Sequence, residues 1–417
     1  MNPLLVVLLL ALIGLVGAQL SFSRRQVPLG PQISIAIGLP FLFLGFALGP
    51  HLLQVLPGSV VDQLTPLLAL GLGWIGVLFG LQLDRDHLRQ FPRRYLAITL
   101  AQATVAFLVV LGFGTLVVGA WFSRSARPIV LAAAATACVS TPAAIALISN
   151  TYMARGRVTR LLFYVASLDA AVGIVAIGVT HAAYNTTPFS IGTAMSPIEW
   201  LAISVLLGFF FGVLFLSLTR IRPRNEEFML LLIGLVLFAA GTAFFLGLSP
   251  LLVGMITGLV IGNLSPLRRR AYAALSDWEK PIYVMMLVLA GALLRFPSWW
   301  IVPLVVAYVA GRIMAKLAGG FVASRVRLEA IELPKRFGLG LTPQGGISLA
   351  IAISFVLIYV PDIELEAAVD VFFATVVIAV GISDLVGPFL VRNLLERAGE
   401  LDRGAVRAGV GDAPGGG

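Results

Sequence analysis

Apolar runs separated by short polar breaks fill nearly the whole chain, at 3–20, 31–48, 63–83, 94–121, 128–149, 159–183, 197–219, 227–246, 249–263, 281–294, 298–323, 336–360 and 366–391. A helix that crosses a bilayer needs about 20 mostly apolar residues, and most of these runs reach or approach that length. The pattern therefore predicts an all-α membrane protein of about 13 transmembrane helices. Two of the boundaries are inferred. Residues 227–263 form one apolar stretch that, at roughly 1.5 Å rise per residue, is too long for a single crossing, so a break is placed at Gly247-Leu248-Ser249-Pro250. The run 281–294 is short, and only Arg295, Phe296 and Pro297 divide it from the next.

Charge places these runs in a membrane with a direction. Of the 29 Lys and Arg residues, 24 fall in loops that alternate to one side, three (Arg124, Arg127, Arg295) fall on the other, and Arg312 and Lys316 lie inside a run. Basic loops face the cytoplasm, which puts the N-terminus outside and the C-terminus inside, as expected of a multi-pass protein of a bacterial inner membrane. Omitting either inferred span would send the later arginine clusters to the wrong side. Met1–Leu20 reads as the first span rather than a cleaved leader, because it lacks a charged start and Arg24-Arg25 follows it.

Composition narrows the classes further. With 59% hydrophobic and 12% charged residues and a mean hydropathy of +0.99, the chain has too much apolar surface for a soluble core. Its net charge of +9 is spread in small clusters, so no nucleic-acid face is formed. One cysteine, Cys138, permits neither a disulfide framework nor a thiolate metal site, and the chain calls for no cofactor. Residues 1–395 form one membrane domain and 396–417, rich in Gly and Ala, read as a disordered cytoplasmic tail. Trp121, Trp200, Trp278, Trp299 and Trp300 sit near run ends as interfacial anchors; Trp74 is the exception.

Ionisable groups at mid-depth are costly and mark function. Asp169 lies near the centre of the sixth run. Arg312 and Lys316 lie one turn apart on one face of the eleventh. A buried acid near fixed bases holds a proton or a cation in competition. The structural alternative is an ion pair that ties two helices together, and Lys316 also has the option of snorkelling to the headgroups. Asp384, late in the last run, reads as a residue of the cytoplasmic interface. His51, His87 and His181 are far apart and near loops, with no metal spacing and no nucleophile beside them, so an enzyme is not indicated. His181 reads as an interfacial histidine, with a role in pH response as the other reading.

Two runs carry helix-breaking sequences. Thr136–Ala144 reads TACVSTPAA, with Pro142 deep in the fifth run and Ser140 and Thr141 as adjacent oxygen donors. The twelfth begins GLGLTPQGGISLAI, with Thr342-Pro343-Gln344-Gly345-Gly346 in its first half. The breaks are seven runs apart, so the two helices run in opposite directions. This predicts two inverted six-helix repeats joined by a linker helix, with the broken helices crossing at the midplane.

Several motifs resemble one family. Gly45-Phe46-Ala47-Leu48-Gly49-Pro50, Gly76 to Asp84 (GVLFGLQLD), Leu248 to Gly254 followed by Gly262-Asn263, and the glycine-rich stretch Gly338–Gly346 are similar, in order and spacing, to motifs of the cation:proton antiporter superfamily. The resemblance is to its bacterial branch of Kef-type and sodium:proton antiporters. It implies exchange of Na+ or K+ for H+, a homodimer, a moving core (94–183 and 298–391) and a scaffold (3–83 and 197–294). It also implies that Asp169 binds the ion together with Ser140, Thr141 and Ser167, that Arg312 or Lys316 is the basic partner, and that Pro142 and Thr342–Gly346 mark the breaks. The chain departs from the family pattern in having Leu168-Asp169-Ala170 in place of an acidic or amide–acid pair, and Thr141 where sodium exchangers often carry Asp. A single carboxylate fits electroneutral exchange. Two further readings stand beside this one: an anion or organic-acid carrier using Arg312 and Lys316 on the same scaffold, and a membrane subunit that works with a separate regulatory partner.

Overall fold

The computed structural model describes residues 3–22, 38–121, 127–185, 195–220, 224–296, 301–325, 333–359 and 366–401, and among these it is helical with no strand. In chain order the helices are α1 (Pro3–Phe22), α2 (Leu39–Leu48), α3 (Gly58–Gln63), α4 (Thr65–Gln82), α5 (Arg85–Arg89), α6 (Arg93–Trp121), α7 (Arg127–Cys138), α8 (Pro142–Thr151), α9 (Arg157–Ala183), α10 (Pro197–Leu218), α11 (Asn225–Phe245), α12 (Pro250–Leu264), α13 (Arg268–Leu293), α14 (Ile301–Ser324), a 3-10 turn (Phe337–Leu341), α15 (Gly345–Tyr359) and α16 (Glu366–Arg397). Among the described residues, eight helical spans are long and apolar enough to cross a membrane, the fifth run counted as one span, and α12 and α15 are shorter apolar helices.

The expected break between α11 and α12 is present, and its cause is local. Gly247 adopts a left-handed conformation (φ 64°), Leu248 N–H bonds back to the Ala243 carbonyl, and the Ser249 hydroxyl caps α12 ahead of Pro250. The start of the tenth run is corrected. The helix does not begin at 281 but at Arg268, passing through Asp277, Lys280 and Pro281. Apolarity alone missed this first stretch because it is amphipathic: Ala271 and Leu275, one turn apart, are buried while Tyr272 and Trp278 face outward.

The helices pack in two groups. One comprises α6–α9, α14, the 3-10 turn, α15 and α16; the other comprises α1, α2, α4 and α10–α13. They touch where α9 meets α10 and α12 and where α15 meets α4 and α12. Small residues set the pairing of α4 on α12. A Cβ at Gly254 would press on the Gly73 carbonyl, one at Gly258 on the Val77 carbonyl, and one at Gly80 on the Met255 carbonyl. Backbones approach this closely only without side chains between them.

Two local expectations change. Trp200 is buried, not an interfacial anchor, whereas Trp278 is half exposed; Trp299 and Trp300 lie outside the described residues. Trp74 is buried, and its indole donates to the Leu275 carbonyl at 3.1 Å. The tail begins later than 396, because α16 continues to Arg397 and Glu400 caps α9, accepting from Val158 N and Thr159 N at 2.8 Å each. The cap ties the chain just beyond α16 to the start of α9, and residues 402–417 lie outside the described residues.

Candidate functional site

The first broken helix separates at Val139-Ser140-Thr141. Helix α7 stops at Cys138, and Thr141 turns extended (φ −112°, ψ 134°) to become the cap of α8, its hydroxyl accepting from Ala143 N. Pro142 takes the first helical position, where its missing N–H costs nothing. The second helix separates at Thr342-Pro343-Gln344, between the 3-10 turn and α15, and Gly345 supplies a left-handed backbone (φ 71°) at the restart. The breaks meet directly: Thr141 N–H donates to the Pro343 carbonyl at 3.0 Å. Gly345 must lack a side chain here, since a Cβ would collide with Thr141.

Each break frees carbonyls at a helix C-terminal end, where partial negative charge accumulates. Helix α14 brings two cations to them from one face. Lys316 Nζ donates to the Cys138 carbonyl at 2.6 Å, to Ser140 Oγ at 2.7 Å and to Asp169 Oδ2 at 3.1 Å. Arg312 joins the two breaks, donating to the Val139 carbonyl at 2.8 Å and to the Thr342 carbonyl. Both side chains are fully buried, so Lys316 does not snorkel to the headgroups.

Asp169, on α9, closes the cluster with no exposed surface. Its Oδ1 accepts Ser140 N–H at 3.0 Å, and its Oδ2 accepts the Ser140 hydroxyl at 2.6 Å beside the Lys316 ammonium. Ser140 Oγ also lies 3.0 Å from the Leu341 carbonyl, so one hydroxyl touches the acid, the base and the second break. Around it Gln344 Nε2 donates to the Thr136 carbonyl and the Tyr308 hydroxyl, and Ser348 Oγ donates to the Thr136 carbonyl. Among the described residues, Arg312 Nε and Gln344 Oε1 are buried with no hydrogen-bond partner, one donor and one acceptor at the crossing.

The structure thus brings together Asp169, Ser140, Arg312, Lys316, Pro142, Thr342, Pro343, Gln344 and Gly345, with Thr141 at the contact between the breaks. Gly346 lies one residue into α15, facing the Tyr283 hydroxyl of α13. Ser167 is not brought in: two residues before Asp169, it lies on the opposite side of α9 and makes no hydrogen bond to the cluster among the described residues. His181 is buried rather than interfacial, with Nε2 3.3 Å from Ser354 Oγ and its ring stacked near Tyr359. Asp384 is corrected from the interface to the interior. It is 1% exposed and accepts Gln344 N–H at 2.6 Å and Gly345 N–H at 3.0 and 3.1 Å. The signal for it was present: Asp384 follows the second broken run as Asp169 follows the first.

Crossed helix breaks held by a buried acid and two buried bases define a membrane transporter of the crossed-helix kind. Two solved structures, both of the sodium proton antiporter MjNhaP1 from Methanocaldococcus jannaschii, share the fold at 16% identity. The structure at pH 8 has a TM-score of 0.67, covering 95% of this chain and 100% of that one. The other, an electron-microscopy map, has a TM-score of 0.61 and covers 100% of both. The family described as "Sodium/hydrogen exchanger, transmembrane" matches residues 5–397, and the chain belongs to it: a multi-pass cation:proton antiporter.

Proposed function

We propose that this protein exchanges Na+ or K+ for H+ by alternating access, with cation and proton competing for Asp169. The observation that carries the reading is the shared Oδ2 of Asp169. A buried carboxylate needs a neutralising partner, and here it has one that can leave. The Lys316 ammonium holds Asp169 when neither ion is bound. An arriving cation takes the carboxylate with Ser140 Oγ and the freed carbonyls of the breaks, while Lys316 keeps the Cys138 carbonyl, only 2.6 Å away, as its resting contact. A proton does the same work at Asp169 on the return.

One exchanging carboxylate supports one-for-one, electroneutral exchange. The group holding the crossing, α6–α9 with α14–α16, is the moving core, and the other helices are the scaffold and the homodimer face. The arginine asymmetry supports thirteen crossings of a bacterial inner membrane with the N-terminus outside. An anion carrier is disfavoured because the donors of Lys316 and the terminal nitrogens of Arg312 are already spent on carbonyls, a hydroxyl and a carboxylate.

The test is dissipation of a preformed pH gradient in everted vesicles by Na+, K+ or Li+. The native chain responds to at least one of the first two, which also names the ion, and Asp169→Asn does not respond. Folded protein indifferent to every cation overturns the reading.

A further inference from the structure

Asp384 repeats the placement of Asp169. Each acid lies on the helix that follows a broken one, Asp169 on α9 and Asp384 on α16, and each carboxylate accepts backbone N–H groups at a break. Both are buried, and Arg312 interacts electrostatically with both. They differ in their other partners. Asp169 also binds a hydroxyl and an ammonium, which can swing away, whereas Asp384 is held by the first amides of α15, which cannot be exchanged for others.

What Asp384 fixes is the segment just before α15. The Pro343 carbonyl there accepts Thr141 N–H, the Thr342 carbonyl accepts from Arg312, and the Leu341 carbonyl lies 3.0 Å from Ser140 Oγ. The segment is boxed in on its other side as well, because a Cβ at Gly387 of α16 would meet the Pro343 ring. Moving the start of α15 therefore moves three carbonyls of the crossing: one beside the Ser140 hydroxyl that binds Asp169, one on Arg312 and one on Thr141 N–H.

We propose that Asp384 is the positioning residue of the ion site, a carboxylate that pins the start of α15 and through it the 341–343 carbonyls at the distance from Asp169 that a cation requires. The proposal rests on the antiport reading above. It does not make Asp384 an ion ligand.

Asparagine at this position presents an NH2 group to amides that need an acceptor, so the start of α15 must shift, while glutamate keeps two acceptor oxygens. In proteoliposomes, Asp384→Asn retains exchange but raises the cation KM about tenfold, the scale of one lost charge-assisted hydrogen bond, with a smaller change in maximal rate. Asp384→Glu stays within about threefold of the native KM. A native KM in Asp384→Asn with only the rate reduced overturns the proposal, as does an Asp384→Glu KM as poor as that of the asparagine variant. Should Asp384→Asn not fold, cation-induced thermal stabilisation of Asp384→Glu decides: response at native cation concentrations supports it, and a folded variant needing more than about ten times as much overturns it. Asp169→Asn measured alongside separates the two claims, because full exchange in that variant sinks the antiport reading whatever Asp384 does.

Discussion

Lys316 and Asp169 meet at 3.1 Å with neither side chain exposed, and the ammonium is bound at the same time to the carbonyl that ends α7. Removing one member of such a pair costs about 3–5 kcal/mol because it strands the other charge in a dry interior, whereas removing both costs far less. Lys316→Met is therefore expected to lower the melting temperature of the purified protein sharply. The double variant with Asp169→Asn should regain most of that loss while exchanging nothing. Additive losses in the double variant would refute the coupling.

Ser140 joins acid, base and second break through one oxygen. Ser140→Ala should fold, since Ser140 N–H still reaches Asp169, but it gives up a hydrogen bond to a charged group worth about 1.5–3 kcal/mol. Cation-dependent flux should show a KM raised by about tenfold or more. An unchanged KM would remove Ser140 from the ion's surroundings.

Arg312 spans the two breaks with two nitrogens of one planar group, and a lysine ammonium is a single point that serves one side at a time. Arg312→Lys should accordingly behave like a loss of function, with slower exchange and lower thermal stability. Native behaviour of the lysine variant would show that the bridge is unnecessary.

The α4–α12 contact predicts a contrast between glycines. Gly258→Ala drives a methyl into the Val77 carbonyl and should destabilise by about 1–3 kcal/mol. Gly241→Ala, where nothing lies within 4 Å, should be neutral or stabilise by up to about 1 kcal/mol through helix propensity. Melting curves of the two variants side by side test the contrast.

On the arginine-rich face, Arg268 binds Asp86 at 2.6 Å and Asp84 at 3.1 Å, and its guanidinium holds the Asp86 carboxyl below the usual value of 3.8. A depressed carboxylate contributes its stabilisation above its unfolded value and loses it only as pH falls through the lower folded value. This clasp is consequently complete across neutral pH. Asp86→Asn should leave the pH midpoint of exchange where it is, and a shifted midpoint would assign the clasp a part in pH response.

Much of this arrangement was legible in the order of residues. Apolar runs, the Gly247–Pro250 break, Asp169 at mid-run, and Arg312 with Lys316 one turn apart all follow from periodicity and backbone chemistry, which act within a few residues. The misreadings share a cause. Asp384, Trp200 and His181 look interfacial because each stands near the end of an apolar run, and only packing shows that other helices cover them. Ser167 entered through the family resemblance, yet a helix turns residues two apart to opposite sides, so it does not share the Asp169 face.

The sequence by itself therefore determined the membrane class, the position of both helix breaks and the identity of the buried charges, since hydropathy and proline or glycine chemistry are properties of local chain. Which groups meet was decided by the tertiary structure alone. Ser140, Asp169, Lys316 and Leu341 converge from four separate stretches of chain, and the start of α15 is held by an acid 40 positions away. A polar group in a bilayer must find its partner inside the protein, and that demand is met by whichever helix packs alongside, which no local pattern records.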